Sequence, residues 1–318
     1  MMKVVSAIKR VPEDWKQRFQ NRFEDIEFQF CHGIEEAEEP LKQADVFVTY
    51  GEDLTPERIQ TAENLKWIMV LSAGMDKMPF EKIEEKGILV TNVRGIHAQP
   101  MAEYAISMLL QVSRQAKTLI EQEKNHEWSR QPVMTEISGQ TMILLGTGAI
   151  SQEVARLAKA FRMKTIGVSK SGNPKEFFDE TYLVDDLSEV IGEVGFIVAA
   201  LPSTEETRYL LKREHFEKMS DKAIFLNMGR GDLVSSDVIL EAVRDGLIAH
   251  AVLDVFETEP LPEKHPLWDE ERVTVTPHVS GISPQYMGRG LEIFEENLNV
   301  WMSGQGEYRN KINLKRGY

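Results

Sequence analysis

The segment from Met142 to Ala158 reads MILLGTGAISQEVARLA, and it decides the fold. Its first four residues are apolar and predict a buried strand, which runs into Gly146 and Gly148 and then into a helix. The first glycine permits a tight turn, the second lets the backbone approach a pyrophosphate, and the helix start offers unpaired N–H groups to the anion. The segment therefore predicts a dinucleotide-binding α/β fold.

The expected phosphate contacts form one continuous run along this turn: Gly146, Thr147, Gly148, Ala149, Ile150 and Ser151. Ser151 stands where a third glycine is usual. A serine there either crowds the helix against the strand or donates an additional hydrogen bond to the phosphates. Because ordinary strand-to-helix turns also show such glycine patterns, the prediction depends on the surrounding sequence.

The surrounding sequence alternates short β-rich runs with helical stretches, a rhythm typical of βαβ units around parallel sheets. Six runs belong to the series that contains the glycine turn: Thr141–Leu145, Lys164–Val168, Gly195–Ala200, Ala223–Asn227, Ile248–Asp254 and Val273–Thr276. Five further runs precede it: Val4–Ile8, Ile26–Cys31, Val46–Tyr50, Trp67–Leu71 and Ile88–Thr91. Two doubly wound, Rossmann-like domains are therefore predicted.

The order of these series predicts that the second domain is inserted in the first. One long amphipathic helix is expected from Pro100 to about Ile120, and a last helix from Pro284 to about Met302. We predict a first domain of residues 1–98 and 280–318 and an inserted domain of residues 99–279. Crossings are expected near His97–Pro100 and Pro277–Ser283.

Charge and composition exclude several classes of protein. The net charge of −14 disfavours nucleic acid as a partner. The single cysteine, Cys31, excludes an intramolecular disulfide and a multi-cysteine metal site, and no metal ligand set is predicted. No run resembles a secretory signal or a membrane span, so we expect a soluble cytoplasmic protein that does not bind membranes.

The end of the second strand in the inserted domain bears on the choice of cofactor. Enzymes that prefer NAD(H) carry an Asp or Glu there, which binds the ribose 2′-hydroxyl. This sequence has Ser169, Lys170 and Ser171 instead. A lysine and two hydroxyl groups suit a 2′-phosphate, so NADP(H) is favoured. A solvated basic turn in an enzyme that takes NAD(H) is the alternative.

Three later motifs carry a resemblance to a known family. They read FLNMGRGDLV from Phe225, AVLDVFETEPLP from Ala251 and TPHVS from Thr276. Together with the SAGMD loop from Ser72, they resemble the D-isomer-specific 2-hydroxyacid dehydrogenases over nearly the whole chain. The resemblance implies a flavodoxin-like substrate domain, an inserted NAD(P)-binding Rossmann domain, and hydride transfer between NAD(P)H and a small 2-keto or D-2-hydroxy acid.

The resemblance also implies three catalytic residues, Arg230, Glu259 and His278. Arginine's rigid fork orients a carboxylate and a carbonyl together, and histidine exchanges a proton near neutral pH while an adjacent carboxylate favours its charged form. Glu257 is an alternative partner for the histidine, but the position of Glu259 before Pro260 fits the family pattern. His97 either touches ligand or is structural.

Further contacts are implied by the resemblance. Backbone N–H groups of Ala73 and Gly74 would bind the substrate carboxylate together with Arg230. Asp254 would bind the nicotinamide carboxamide or, alternatively, is a turn carboxylate. The remaining expected cofactor contacts are Leu201, Pro202, Thr207, Met228, Gly229, His278 and Gly281.

Several functions remain open at this point. Glyoxylate or hydroxypyruvate reduction is the specific hypothesis, a phosphoglycerate dehydrogenase is an alternative enzyme, and a nucleotide-sensing corepressor is an alternative outside enzymes. Glu259 argues against a formate dehydrogenase, whose pattern has Gln there. Family members are commonly homodimers joined through the cofactor domain, where Trp128 would contact the partner or fill ordinary core.

Overall fold

The computed structural model describes residues 1–72, 74, 75, 77–192 and 194–314, and the chain divides into two compact units. Unit 1 consists of Met1–Ile96 and Ser283–Tyr318, and unit 2 consists of His97–Ile282. The chain crosses between the units at Ile96–His97 and at Ile282–Ser283.

Unit 1 is built on a parallel five-stranded sheet in the order β2-β1-β3-β4-β5. This is the strand order of flavodoxin-like folds. The strands are β1 (Met2–Ser6), β2 (Ile26–Phe30), β3 (Val46–Thr49), β4 (Trp67–Val70) and β5 (Leu89–Asn92). The helices are α1 (Glu13–Arg22), α2 (Ile34–Leu41), α3 (Pro56–Thr61), α4 (Phe80–Glu85) and α11 (Tyr286–Ser303).

Both faces of this sheet are covered by apolar side chains. Val4 and Val5 are successive residues of β1, and they belong to separate core clusters because alternate residues of a strand face opposite sides. On one side, Trp67 of β4 lies with its ring centroid 5.5 Å from Phe294 and 5.6 Å from Trp301, both on α11. The last helix therefore completes the core of the unit in which the chain began.

Unit 2 is built on a parallel seven-stranded sheet in the order β12-β11-β10-β9-β6-β7-β8. The strands are β6 (Thr141–Leu145), β7 (Lys164–Ser169), β8 (Glu180–Leu183), β9 (Phe196–Ala199), β10 (Ile224–Asn227), β11 (His250–Leu253) and β12 (Val273–Val275). The helices are α5 (Ala98–Ser113), α6 (Ala116–Lys124), α7 (Ala149–Ala160), α8 (Leu187–Val190), α9 (Arg213–Lys218) and α10 (Ser236–Arg244).

The strand order of unit 2 fixes where a ligand is expected. Chain order reverses at β6, which pairs with β7 on one side and with β9 on the other. In open parallel sheets, ligands bind outside the carboxyl ends of the strands at such a reversal. The turn of Gly146 and Gly148 follows β6 at this point.

Two expectations about unit 2 were wrong. A seventh strand, β8, was missed because Glu180–Leu183 is a short, half-exposed edge strand without an apolar run. The long helix expected after Pro100 is two helices, since Gln115 adopts a left-handed backbone with φ of 56° between α5 and α6. Across the described residues, no helix combines the length and the apolarity that a membrane crossing requires.

Candidate active site

The glycine turn after β6 has the shape that a dinucleotide phosphate requires. Gly146 has a φ of 97°, which favours glycine, and its N–H donates to the Val168 carbonyl at 2.8 Å. Gly148 precedes the first residue of α7, and a Cβ added there would meet no atom within 4 Å. The start of a twelve-residue helix is therefore open to an approaching anion, so the residues present fit a nicotinamide dinucleotide.

The remaining residues of the turn differ in exposure. Gly148 and Ala149 are exposed and Ile150 is half-buried, whereas Ser151 is 1% exposed. This burial favours the interpretation that Ser151 packs the helix against the sheet rather than contacting a phosphate. Thr147 is also buried, and its carbonyl accepts a hydrogen bond from Gln152 Nε2 at 3.0 Å.

The end of β7, where an adenosine ribose is expected, carries an ion pair that the sequence did not indicate. Lys170 Nζ lies 2.6 Å from Oε1 of Glu206, a residue of the loop after β9. Next to it, the Ser169 hydroxyl is buried and has no hydrogen-bond partner among the described residues. The Ser171 hydroxyl accepts from the Asn173 N–H at 3.3 Å. We call Ser169, Lys170, Ser171 and Glu206 the ribose end.

The turn that carries Arg230 depends on its flanking glycines. A Cβ on Gly229 would lie 2.6 Å from the Leu201 carbonyl oxygen, and one on Gly231 would lie 1.9 Å from the Phe256 carbonyl carbon. Side chains therefore cannot replace either hydrogen atom without moving backbone. The buried Asn227 closes the turn, since its Oδ1 accepts from Gly229 N at 3.1 Å and its Nδ2 donates to Arg230 O at 2.9 Å.

Asp232 fastens the loop after β9 to the Arg230 turn. Its carboxylate accepts from Ser203 Oγ at 2.5 Å and from Arg208 Nε at 3.2 Å, while its carbonyl accepts from Tyr209 N at 2.7 Å. The sequence reasoning missed this residue because its partners lie more than twenty positions away. Asp232 therefore positions the loop that begins with Leu201.

Glu259 and His278 form a direct pair. Nδ1 of His278 lies 2.7 Å from Oε2 of Glu259, whose other oxygen accepts from Phe256 N at 2.9 Å. The glutamate is thus oriented by backbone and in turn orients the imidazole. About half of the His278 side chain is exposed. Because Nδ1 donates to Glu259, Nε2 is the nitrogen that remains for a reacting group.

Asp254 stabilises the turn that carries His278 through buried hydrogen bonds. It has no exposed surface, and its carboxylate accepts from Thr276 Oγ1 at 2.6 Å and from Val279 N and Ser280 N, each at 2.9 Å. Its carbonyl accepts from His278 N at 2.9 Å. These bonds fit a turn carboxylate; a bond to the nicotinamide carboxamide stays a prediction. We call residues 254–259 and 276–280 the catalytic corner.

A tyrosine of α5 joins the hydrogen bonds around Asp254. Tyr104 of α5 lies with its hydroxyl 2.7 Å from Thr276 Oγ1, the same hydroxyl that donates to Asp254. Burial raises the pKa of Tyr104, so its hydroxyl stays protonated at neutral pH. Neither Tyr104 nor Thr276 was singled out from the sequence, although Thr276 lies two residues before His278.

The alternative partner Glu257 has a different task. Its carboxylate accepts from the Ser236 N–H at 2.7 Å, at the start of α10, and from the Tyr209 hydroxyl at 3.1 Å. A carboxylate at a helix start is stabilised by the unpaired N–H groups and the helix dipole. The structure thus places Glu259 rather than Glu257 against the histidine.

His97 lies beside Gly281, where an added Cβ would approach its Nδ1 to 3.0 Å. Burial lowers the pKa of His97; a backbone hydrogen bond to Gly281 opposes this shift in part, and the positive charge of Arg230 adds to it. The imidazole is therefore neutral at pH 7 and lies within electrostatic range of Arg230.

The other predicted contacts are placed as follows. The Thr207 hydroxyl donates to Pro202 O at 2.6 Å and accepts from Thr204 N at 2.8 Å, which closes the loop after Leu201. Met228 is 2% exposed and its side chain packs in the core, so only its backbone can face a ligand. Gly74 follows β4 in unit 1, and Ala73 lies outside the described residues.

Comparison with known proteins agrees with this geometry. Residues 106–280 match the family model described as D-isomer specific 2-hydroxyacid dehydrogenase, NAD binding domain. A hydroxypyruvate reductase of Thermotoga maritima is 33% identical over 261 residues, which cover 80% of this chain and 84% of that protein. A D-3-phosphoglycerate dehydrogenase of Methanocaldococcus jannaschii is 34% identical over 275 residues, which cover 85% of this chain but 52% of that protein.

Among solved structures, one similar chain is the NADPH-dependent glyoxylate/hydroxypyruvate reductase of Sinorhizobium meliloti, in complex with NADP and sulfate. It superposes with a TM-score of 0.80 at 27% identity and covers 100% of both chains. The likeness therefore extends over both units.

Proposed function

Because this chain belongs to the D-isomer specific 2-hydroxyacid dehydrogenase family and is an NAD(P)-dependent oxidoreductase, we propose that it reduces glyoxylate or hydroxypyruvate to the 2-hydroxy acid. The observation that carries this proposal is the His278–Glu259 pair at 2.7 Å. Arg230, Glu259 and His278 follow three neighbouring strands, β10, β11 and β12, so their side chains start from one edge of one sheet.

His278 is proposed as the proton donor. In the imidazolium form both nitrogens carry a proton: Nδ1–H donates to Glu259, and Nε2–H passes its proton to the carbonyl oxygen of the keto acid. In the oxidative direction the same nitrogen accepts the hydroxyl proton. Glu259 stabilises the imidazolium and fixes its tautomer and orientation.

Arg230 is proposed to bind the substrate. Its guanidinium offers two parallel N–H donors, which suit the carboxylate and the neighbouring carbonyl oxygen of a 2-keto acid. When bound, the nicotinamide supplies the hydride in reduction and accepts it in oxidation. We also propose that the N–H group of Gly74 donates to the substrate carboxylate. The same role for Ala73 is proposed from the family resemblance alone.

NADP(H) is the proposed preferred cofactor. The strand end at Ser169 has no carboxylate of its own, and Lys170 supplies a positive charge beside the expected ribose. The Sinorhizobium reductase is described as NADPH-dependent, which supports the same preference. Because Ser169 at this strand end is uncharged, it also permits binding of NAD(H).

A homodimer joined through unit 2 is also proposed. Apolar side chains cluster along the chain after α5 and are exposed to solvent, with Trp128 at 91%, Val133 at 80% and Ile120 at 50%. Large apolar side chains in such numbers indicate a protein interface. Trp128 does not fill core, as one alternative supposed. Sedimentation velocity of the wild type and of Trp128→Glu tests the proposal, with a dimer expected to become a monomer.

A phosphoglycerate dehydrogenase is the second candidate, favoured by the 34% identity to the Methanocaldococcus enzyme. One assay separates the candidates: absorbance at 340 nm with NADPH or NADH and glyoxylate, hydroxypyruvate, pyruvate or phenylpyruvate, and in the oxidative direction with NADP⁺ or NAD⁺ and 3-phosphoglycerate. We expect oxidation of NADPH with glyoxylate and with hydroxypyruvate. Tight nucleotide binding without turnover of any substrate would favour a nucleotide sensor instead.

A further inference from the structure

We propose that Glu206 limits the preference of this enzyme for NADP(H) by neutralising Lys170 at the ribose end. The inference rests on the proposed function, because it concerns the adenosine ribose of the cofactor. It goes further in naming a residue, from the loop after β9, that sets the balance between the two cofactors.

The position of Glu206 in the sheet is the first step. Lys170 follows β7 and Glu206 lies in the loop after β9, and these strands flank β6 in the order β9-β6-β7. The ion pair therefore spans the carboxyl end of β6, where the glycine turn begins. The end of β7 has no carboxylate of its own. The loop after β9 supplies one, because Oε1 of Glu206 lies 2.6 Å from Nζ of Lys170.

Charge is the second step. A 2′-phosphate carries close to two negative charges at neutral pH, whereas the 2′-hydroxyl of NAD(H) carries none. A carboxylate paired with Lys170 occupies the ammonium group, which is then less available to the phosphate. Binding of NADP(H) must therefore overcome the Lys170–Glu206 pair, while binding of NAD(H) does not.

Exposure is the third step. The Lys170 and Glu206 side chains are 81% and 66% exposed, so the pair contributes little to folding. It can be rearranged by a ligand or removed by substitution without disturbing the core. The buried Ser169 hydroxyl beside it, with no partner among the described residues, offers a neutral hydrogen-bonding group to either cofactor.

The test uses two fragments that isolate this part of the cofactor. Calorimetry gives the Kd of adenosine 2′,5′-bisphosphate and of 5′-AMP for the wild type and for Glu206→Gln. We expect the bisphosphate to bind about 5-fold more tightly to the variant, from the loss of one surface charge interaction, and 5′-AMP to change by less than about 2-fold. The gain should shrink at 0.5 M salt, because exposed charges are screened.

Glu205→Gln is the matched control, since it removes the same charge from the adjacent exposed residue while the ion pair joins Lys170 to Glu206. An equal gain in both variants, or no gain in Glu206→Gln, would overturn the proposal. In a Lys170→Ala background, the effect of Glu206→Gln should fall below about 2-fold. A full effect there would show direct repulsion and contradict neutralisation of the lysine.

The fragments bind without substrate, so the result does not depend on turnover. If the protein reduced no 2-keto acid, the proposed substrate would be wrong while the fragment affinities still tested Glu206. In an active enzyme, the ratio of kcat/KM for NADPH to that for NADH should rise by the same factor in Glu206→Gln. An unchanged ratio would count against the proposal.

Discussion

The catalytic corner and the ribose end lie in the same unit, yet they are held in opposite ways. At the catalytic corner, the carboxylate of the fully buried Asp254 accepts three hydrogen bonds, and Glu259 accepts one from a backbone N–H as well as contacting His278. At the ribose end, one ion pair joins Lys170 to Glu206 through side chains that are mostly in solvent.

With the roles proposed above, this difference would separate proton transfer from the choice of cofactor. Proton transfer requires geometry within a few tenths of an ångström, which buried and mutually oriented groups provide. Discrimination between a phosphate and a hydroxyl requires only a change of charge, which an exposed pair provides at low cost to folding. Substitutions at the catalytic corner should therefore have large effects on rate, and those at the ribose end should have small effects on affinity.

The largest effect is expected for His278→Ala. Loss of the proposed proton donor should lower kcat by roughly 100-fold or more, while the Kd of NADPH changes little. His126→Ala is the matched control, because His126 also has a left-handed backbone, with φ of 55° against 52° for His278, and it is exposed. Steady-state kinetics and cofactor fluorescence provide both values. Unchanged turnover would remove His278 from the mechanism.

Arg230→Lys tests whether shape as well as charge is needed. Lysine keeps the positive charge but loses the planar fork, so kcat/KM for the keto acid should fall by about 10- to 100-fold. The Kd of NADPH should stay within about 2-fold, since the substitution leaves the glycine turn and the ribose end in place. A variant with wild-type kcat/KM would show that Arg230 does not orient the substrate.

Asp254→Asn tests the buried support of the catalytic corner. The new amide group must face one of the backbone N–H donors that now bind carboxylate, so unfolding should become easier by about 1–3 kcal/mol. We also expect kcat to fall by roughly 10-fold, because His278 follows the turn that Asp254 holds.

Asp179→Asn is the control for that substitution, since Asp179 also accepts from a backbone N–H, that of Thr165 at 2.7 Å, but lies away from the His278 turn. It should lower the melting temperature without changing kcat. A loss of kcat equal in both variants would assign the effect of Asp254 to stability alone.

The smallest effect is expected for Lys170→Ala. Removing an exposed charge should raise the Kd of NADPH by about 5-fold and that of NADH by less than about 2-fold. Lys175→Ala, in the same connection between β7 and β8, should change neither. Equal weakening of both cofactors would show that Lys170 does not distinguish the 2′-phosphate.

Much of the architecture was predictable because local pattern and tertiary structure agree. The apolar runs of β6 and β10 are buried along their whole length, and the glycine turn marks the end of β6. By contrast, β8 has no apolar run because it lies at the sheet edge. The break at Gln115 was also missed, since a left-handed residue other than glycine is set by its surroundings rather than by its own propensity.

At the candidate site, the sequence predicted residues that lie in motifs and missed residues that interact across the fold. Arg230, Glu259 and His278 were predicted because the family resemblance marks them. Glu206 lies 36 positions from Lys170, and Tyr104 lies 172 positions from Thr276. Such pairs become neighbours only through the tertiary fold, which a linear pattern does not display.

The division of the chain into one continuous and one discontinuous unit has a consequence for biosynthesis. Residues 97–282 emerge from the ribosome as an uninterrupted stretch, so unit 2 can fold while the last helix is still being made. Unit 1 cannot, because Phe294 and Trp301 of α11 pack on Trp67 in its core. Part of the apolar surface of the first 96 residues therefore stays uncovered until α11 has been synthesised.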